Sequence, residues 1–173
     1  GMTDGGLICY SNKEVNNLSN EDLTFVMSTN CRTGNFLYGE GNNDCFAERL
    51  MRVENGCVAI IAASETSYSF VNDAYVWGVY DYLWNDFMPS YGKNNISFKY
   101  PAFANYYGKY FLKQSSWPEL SFNKKVTYNL FHYFGDAFLQ LNTEMPKEIN
   151  IHYPEEITSD ETSISIRRDK DTK

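Results

Sequence analysis

The run Cys57-Val58-Ala59-Ile60-Ile61-Ala62-Ala63 carries no charged side chain and no alternation of polar with apolar residues. A strand with one face in water alternates, because successive side chains point to opposite sides. This unbroken run, bounded by Gly56 and Ser64, therefore predicts a strand covered on both faces. Helices packed on the two sides of a sheet supply such cover, so the run points to an α/β fold.

The residues before it complete a unit. Leu23-Thr24-Phe25-Val26-Met27 is a second short apolar run and reads as a buried strand. Ser28-Thr29-Asn30-Cys31-Arg32-Thr33-Gly34-Asn35 follows as a polar, glycine-containing loop. Asp44 reads as the cap of a helix with Phe46, Ala47, Leu50 and Met51 on its apolar side, ended by Asn55-Gly56. Strand, helix, strand predicts a parallel pair joined by a right-handed crossover. Cys31 then stands at the carboxyl end of its strand, where open α/β sheets gather their sites.

At 173 residues, with 43% hydrophobic and 17% aromatic, the chain has the material for one sizeable core. Its net charge of -7 argues against nucleic acid or an anionic membrane as a partner. The acidity reads as solubility before it reads as recognition of a basic substrate. No apolar run approaches the roughly 20 residues of a membrane span, and the amino terminus shows no signal-peptide pattern. An export signal further upstream stays compatible with that terminus.

Cys9, Cys31, Cys45 and Cys57 form no Cys-x-x-Cys pair, and the two histidines, His132 and His152, lie far downstream. Neither a metal site nor a cofactor is expected from that pattern, nor a dense disulfide framework. Helical spacing joins Val76, Val79, Tyr80, Leu83 and Phe87, and again Phe103, Tyr106, Tyr107, Tyr110 and Phe111. A further helix is expected from about Asn123 to Phe134. These aromatic stripes read as core rather than as a ligand box.

The texture changes at Met145-Pro146, which divides the chain into 1–145 and 146–173. Beyond it, Glu148 to Tyr153 and Thr162 to Arg167 alternate polar with apolar residues, as half-exposed antiparallel strands do. Two strands make no stable sheet alone, so this tail is either an edge addition or the start of a sandwich. An exposed sheet edge would also invite a homodimer.

A thiol becomes a nucleophile when it is partly exposed and a cation, a helix N-terminus or an imidazole stabilises its thiolate. Cys31 alone among the cysteines occupies a polar loop at a strand end. Its backbone N–H, in a tight turn that Gly34 permits, is a candidate donor to a developing oxyanion. The plainer alternative is an ordinary loop cysteine.

Asn30-Cys31-Arg32-Thr33-Gly34-Asn35-Phe36 resembles the loop that holds the catalytic cysteine in the gingipain family of caspase-like peptidases. Asp44-Cys45-Phe46-Ala47-Glu48-Arg49-Leu50 is similar to that family's helix start. Gly56 to Ser64, followed by Ser67-Tyr68, is similar to its next core strand and substrate-side loop. Phe134-Gly135-Asp136 resembles an element near the end of its catalytic domain, with Ala137 in place of proline.

The resemblance implies a caspase-like parallel sheet flanked by helices and peptide-bond hydrolysis through an acyl-enzyme on Cys31. It also implies an extracellular or cell-surface setting and a protein or peptide substrate. Residues 1–145 would be the later part of the catalytic domain, and 146–173 the start of an immunoglobulin-like module. Ser67, Tyr68 and Asp73, with Glu65 in a lesser role, would line the substrate pocket. Asp73 has a plainer reading as a charge favouring the dipole of its helix.

Two departures stand against this pattern. The family carries tryptophan after the Ser-Tyr step, where this chain has Ser69. The family's general base belongs to a His-Gly pair roughly thirty residues upstream of the cysteine, which would fall at or before Gly1. Either the base lies in an upstream segment, or the protein is a non-catalytic relative. His132, expected inside an aromatic-rich helix, and His152, expected on a solvent-facing strand, are poor substitutes.

Overall fold

In the computed structural model, the described residues are 11–38, 44–84, 87, 98–143, 148–156, 159 and 163–168. The chain divides into two units, Gly1–Leu141 and Asn142–Lys173.

The first unit is an α/β layer structure around β2 (Cys57–Ala63). β1 (Thr24–Ser28) lies parallel to it, with Phe25 opposite Ala59 and Ser28 opposite Ala62. β3 (Phe131–Gly135) lies antiparallel on the other side, with Ala62 opposite His132 and Ile60 opposite Phe134. The order β1-β2-β3 makes the unbroken apolar run the central strand.

Both faces of β2 are covered, which is why its sequence does not alternate. Ile61 and Ala63 pack with Val71, Tyr75, Val79 and Leu83 of α3 (Ser69–Leu83) and Leu112 of α4 (Pro101–Gln114). Ile60 and Ala62 pack on the other side with Val15 of α1 (Asn12–Val15) and with Ala47 and Leu50 of α2 (Phe46–Arg52). Ile60 and Ile61 are fully buried, each contributing about 1.5–3 kcal/mol from removal of apolar surface.

Several details differ from the sequence reading. Cys45, not Asp44, caps α2: Glu48 reaches back to the Cys45 N–H at 2.9 Å, which closes a capping box. Asp44 instead accepts from Arg52 Nη1 at 2.5 Å. The helix expected to run to Phe134 ends at Leu130, and α5 is Ser121–Leu130. Residues 131–135 satisfy both helical and strand spacing, and the vacant edge of β2 decides for a strand. His132 is consequently a strand residue.

The aromatic stripes are also turned differently. Phe103, Tyr106 and Tyr110 are exposed, while Pro101, Ala104, Gly108 and Leu112 face inward. Small residues let α4 lie close against α3, and the large rings are displaced outward. On α3, Tyr75, Val79 and Leu83 are buried, whereas Tyr80 is exposed, its ring centroid 5.5 Å from that of Phe87, which lies beyond the end of the helix and is also exposed.

In the second unit, β4 (Ile151–His152) and β5 (Arg167–Arg168) form a short antiparallel pair, Ile151 opposite Arg168. The alternating segments predicted longer strands. Ile149, Ile151, Tyr153, Ile164 and Ile166 are exposed.

Candidate active site

The loop after β1 is tied at many points. Thr33 Oγ1 lies 2.8 Å from Ser28 Oγ and donates to the Asn30 carbonyl at 3.1 Å. The Thr33 carbonyl accepts from the Ala47 N–H at 2.9 Å, which satisfies a donor in the first turn of α2. The Gly34 N–H donates to the Ala63 carbonyl at 2.8 Å, and the Arg32 N–H to that of Glu65 at 3.2 Å. The loop is thus laid across the carboxyl end of β2.

The turn differs from the one expected. The left-handed residue is Arg32, with φ 60°, rather than Gly34. For a residue with a Cβ that conformation costs about 1–2 kcal/mol. A bond from Arg32 Nε to Glu65 Oε1 at 2.5 Å helps to hold it. Gly34 is required for another reason: a Cβ there would lie 2.9 Å from Ala62 Cβ and 3.0 Å from the Ala62 carbonyl oxygen. It allows close approach of loop to strand.

This path sets Cys31 half-exposed beyond the end of β1, beside the segment that follows β2. Its Sγ accepts from the Ser67 N–H at 3.2 Å, with Ser67 Oγ at 3.6 Å and the Ser67 carbonyl at 3.7 Å. A backbone N–H is thus aimed at the sulfur. Among the described residues, the Cys31 N–H has no hydrogen-bond partner.

The other candidates divide. Ser67 touches the thiol directly. Tyr68 is the N-cap residue of α3, half-buried against the core cluster that includes Val71 and Tyr75. Asp73 is exposed in the second turn of α3, and no hydrogen bond or ion pair joins it to Cys31 among the described residues. Glu65 is engaged by Arg32, whose hydrogen bond holds its carboxyl below the usual range.

His132 stands on β3 with Nε2 3.2 Å from Ser64 Oγ and its ring edge-on to Phe36 at 5.4 Å. Burial, and then the charge of Lys109, hold its imidazole below the ordinary value. Ser64 Oγ donates to the Leu130 carbonyl at 3.2 Å, so the histidine Nε2–H is the donor in this pair. His152 lies on β4, exposed.

The described cysteines, Cys31, Cys45 and Cys57, are all free thiols, and Cys9 lies outside the described residues. Burial raises the Cys45 thiol and pushes that of Cys57 up to about 11. Cys57 Sγ lies 3.5 Å from Met51 Sδ. No three of His, Cys, Asp and Glu gather as a metal site among the described residues, and no described helix is long and apolar enough to cross a membrane.

Sequence reasoning did not identify Asn72. It is buried in the first turn of α3 and donates to Ser67 Oγ at 3.0 Å and to the Thr29 carbonyl at 3.1 Å. The available signal was an amide four residues after a helix-starting Tyr68 on an otherwise apolar face.

The model of peptidase family C25 matches residues 3–142, which include every block that carried the resemblance. Two solved structures share the fold. One is the Arg-specific cysteine proteinase gingipain R (RgpB), at 23% identity and a TM-score of 0.67. It matches over 92% of this chain and 35% of its own. The other is the complex of Porphyromonas gingivalis RgpB pro- and mature domains, at 23% identity and a TM-score of 0.63, over 92% and 36%. The chain thus spans about a third of the length of these structures. No curated protein matches it significantly.

Proposed function

The chain belongs to peptidase family C25, a family of cysteine peptidases, and from that premise we propose that Cys31 is its nucleophile. The observation that carries the proposal is the Ser67 N–H donating to Cys31 Sγ at 3.2 Å, at the carboxyl end of a parallel strand pair. A half-exposed sulfur with a fixed donor is suited to attack a peptide carbonyl, whereas Cys57 is buried and the Cys45 thiol, in the cap of α2, is raised by desolvation.

The proposed reaction is endopeptidase hydrolysis. Cys31 Sγ bonds to the scissile carbonyl carbon, and the amine leaves with a proton delivered by an imidazole. Water then releases the acid and regenerates the thiol. The free Cys31 N–H faces the developing oxyanion, held in a loop whose approach to β2 depends on Gly34. The imidazole is assigned to a histidine outside these 173 residues, since none precedes Cys31 and His132 spends its Nε2–H on Ser64. Ser67 and Tyr68 would form the substrate side, with Asp73 in reach of a basic side chain.

The remaining assignments follow the same premise. The alternating segments after Pro146 would begin an immunoglobulin-like module, and the setting would be extracellular or on the cell surface. The edge strands β1 and β3 offer a route to a homodimer.

A second reading, an inert caspase-like domain used for binding, is favoured by one observation: His132, the histidine of the same unit, gives its Nε2–H to Ser64 and not to Cys31. Hydrolysis of peptide amides by a chain extended upstream separates the two. Loss of that hydrolysis in Cys31→Ala, by a factor of at least about a thousand, supports the nucleophile. Unchanged hydrolysis in Cys31→Ala rejects it, and no hydrolysis by the parent chain favours the inert domain.

A further inference from the structure

Asn72 is 6% exposed, yet both groups to which its amide donates belong to the surroundings of Cys31. One is the carbonyl of Thr29, two residues before the thiol; the other is the hydroxyl of Ser67, whose N–H meets the sulfur. Ser67 Oγ also lies 2.9 Å from the Thr29 carbonyl.

Proton assignment in this triangle is determined by chemistry. A carbonyl only accepts, so the Ser67 hydroxyl proton goes to Thr29. The hydroxyl oxygen is then left to accept from Asn72, and the amide must present nitrogen to both partners. With its proton committed, the Ser67 hydroxyl has none for the sulfur 3.6 Å away. The donor that Ser67 offers to Cys31 is its backbone N–H, at 3.2 Å.

We propose that Asn72, acting through Ser67, is the positioning residue for the Cys31 thiol. Two donors converge on the Thr29 carbonyl and fix the loop before Cys31. The same amide holds Ser67 so that its N–H stays on the sulfur. Among the described residues, Asn72 Oδ1 accepts no hydrogen bond, so only its donor half is used. A side chain serving stability alone would be expected to satisfy both halves.

The inference rests on Cys31 being the nucleophile, but its test reads the thiol and not hydrolysis. The full chain is treated with limiting iodoacetamide at pH 7.5, and alkylation of each cysteine is followed by peptide-resolved mass spectrometry. In Asn72→Ala, in the near-isosteric Asn72→Asp and in Ser67→Ala, Cys31 should react about three- to tenfold more slowly, the range of a typical hydrogen bond. Ser67→Thr retains the hydroxyl and should restore the native rate within about twofold. Buried Cys57 reports the fold in the same sample, and its rate should not change.

A native or faster Cys31 rate in Asn72→Asp and Ser67→Ala, with Cys57 still protected, overturns the proposal. So does acceleration of Cys31 and Cys57 together in all variants, since Asn72 would then be holding the fold and not the thiol. Native Cys31 rates combined with loss of hydrolysis in Cys31→Ala would remove the positioning role alone. Hydrolysis retained in Cys31→Ala would remove the nucleophile itself, whatever these rates show.

Discussion

The two ends of the sheet each hold a cysteine, in opposite circumstances. Cys57 opens β2 at its amino end, buried, with burial pushing its thiol up to about 11. Cys31 lies beyond the carboxyl end of β1, half-exposed, with a backbone N–H on its sulfur. At the amino end α2 turns directly into β2, and Leu50, Met51 and Val53 close around Cys57. At the carboxyl end, the chain after each parallel strand must cross over the sheet, and the two crossings bring Cys31 and Ser67 together. The contrast arises from the direction of the strands and would not follow from cysteine content.

Two glycines sharpen that contrast, because each end depends on one. At Gly56 a Cβ would lie 1.8 Å from the Leu50 carbonyl oxygen, and at Gly34 2.9 Å from Ala62 Cβ. Gly56→Ala should therefore be the more damaging change, at about 3 kcal/mol or more, while leaving Cys31 as reactive as before wherever the protein stays folded. Gly34→Ala should cost about 1–3 kcal/mol yet slow alkylation of Cys31, since the loop must lift from β2. Urea denaturation and thiol kinetics on both variants check the pair. Equal effects on Cys31 would break the comparison.

A smaller effect is expected from pH, again at the Cys31 end. His132 is held below its ordinary value, so the native state favours the neutral ring and the unfolded state takes up a proton first. The stability it contributes is fully present above about pH 6.5 and is lost as pH falls toward the lowered native value. Glu14 and Glu65, lowered by Ser11 and Arg32, lose theirs only below about pH 4.3. Urea midpoints should thus decline as pH falls below about 6.5, and the decline should flatten in His132→Gln. An unchanged slope in that variant would assign the window to another group.

The parts legible in the sequence are those with a single physical solution. An apolar run as long as Cys57–Ala63 has no exposed arrangement, and the structure has β2 over those residues. The position of Cys31 followed, because a βαβ unit fixes which end of β1 carries the loop. β3 was not legible, because Phe131 to Phe134 suit either period and only the free edge of β2 selects one. The inward face of α4 was misread for a similar reason: ring size suggested Phe103 and Tyr106, whereas close approach to α3 required Ala104 and Gly108. Asn72 was hidden because its partners, Thr29 and Ser67, come from separate segments and meet only in the fold.

The central claim is most directly tested by the relative reactivity of the two thiols in the native protein at pH 8. With its thiol at about 11, Cys57 should be ionised in about one molecule in a thousand. Peptide-resolved alkylation should then find Cys31 reacting at least about a hundredfold faster than Cys57. Comparable rates, or a Cys57 that reacts first, would contradict the account, because the sheet would then present no privileged thiol.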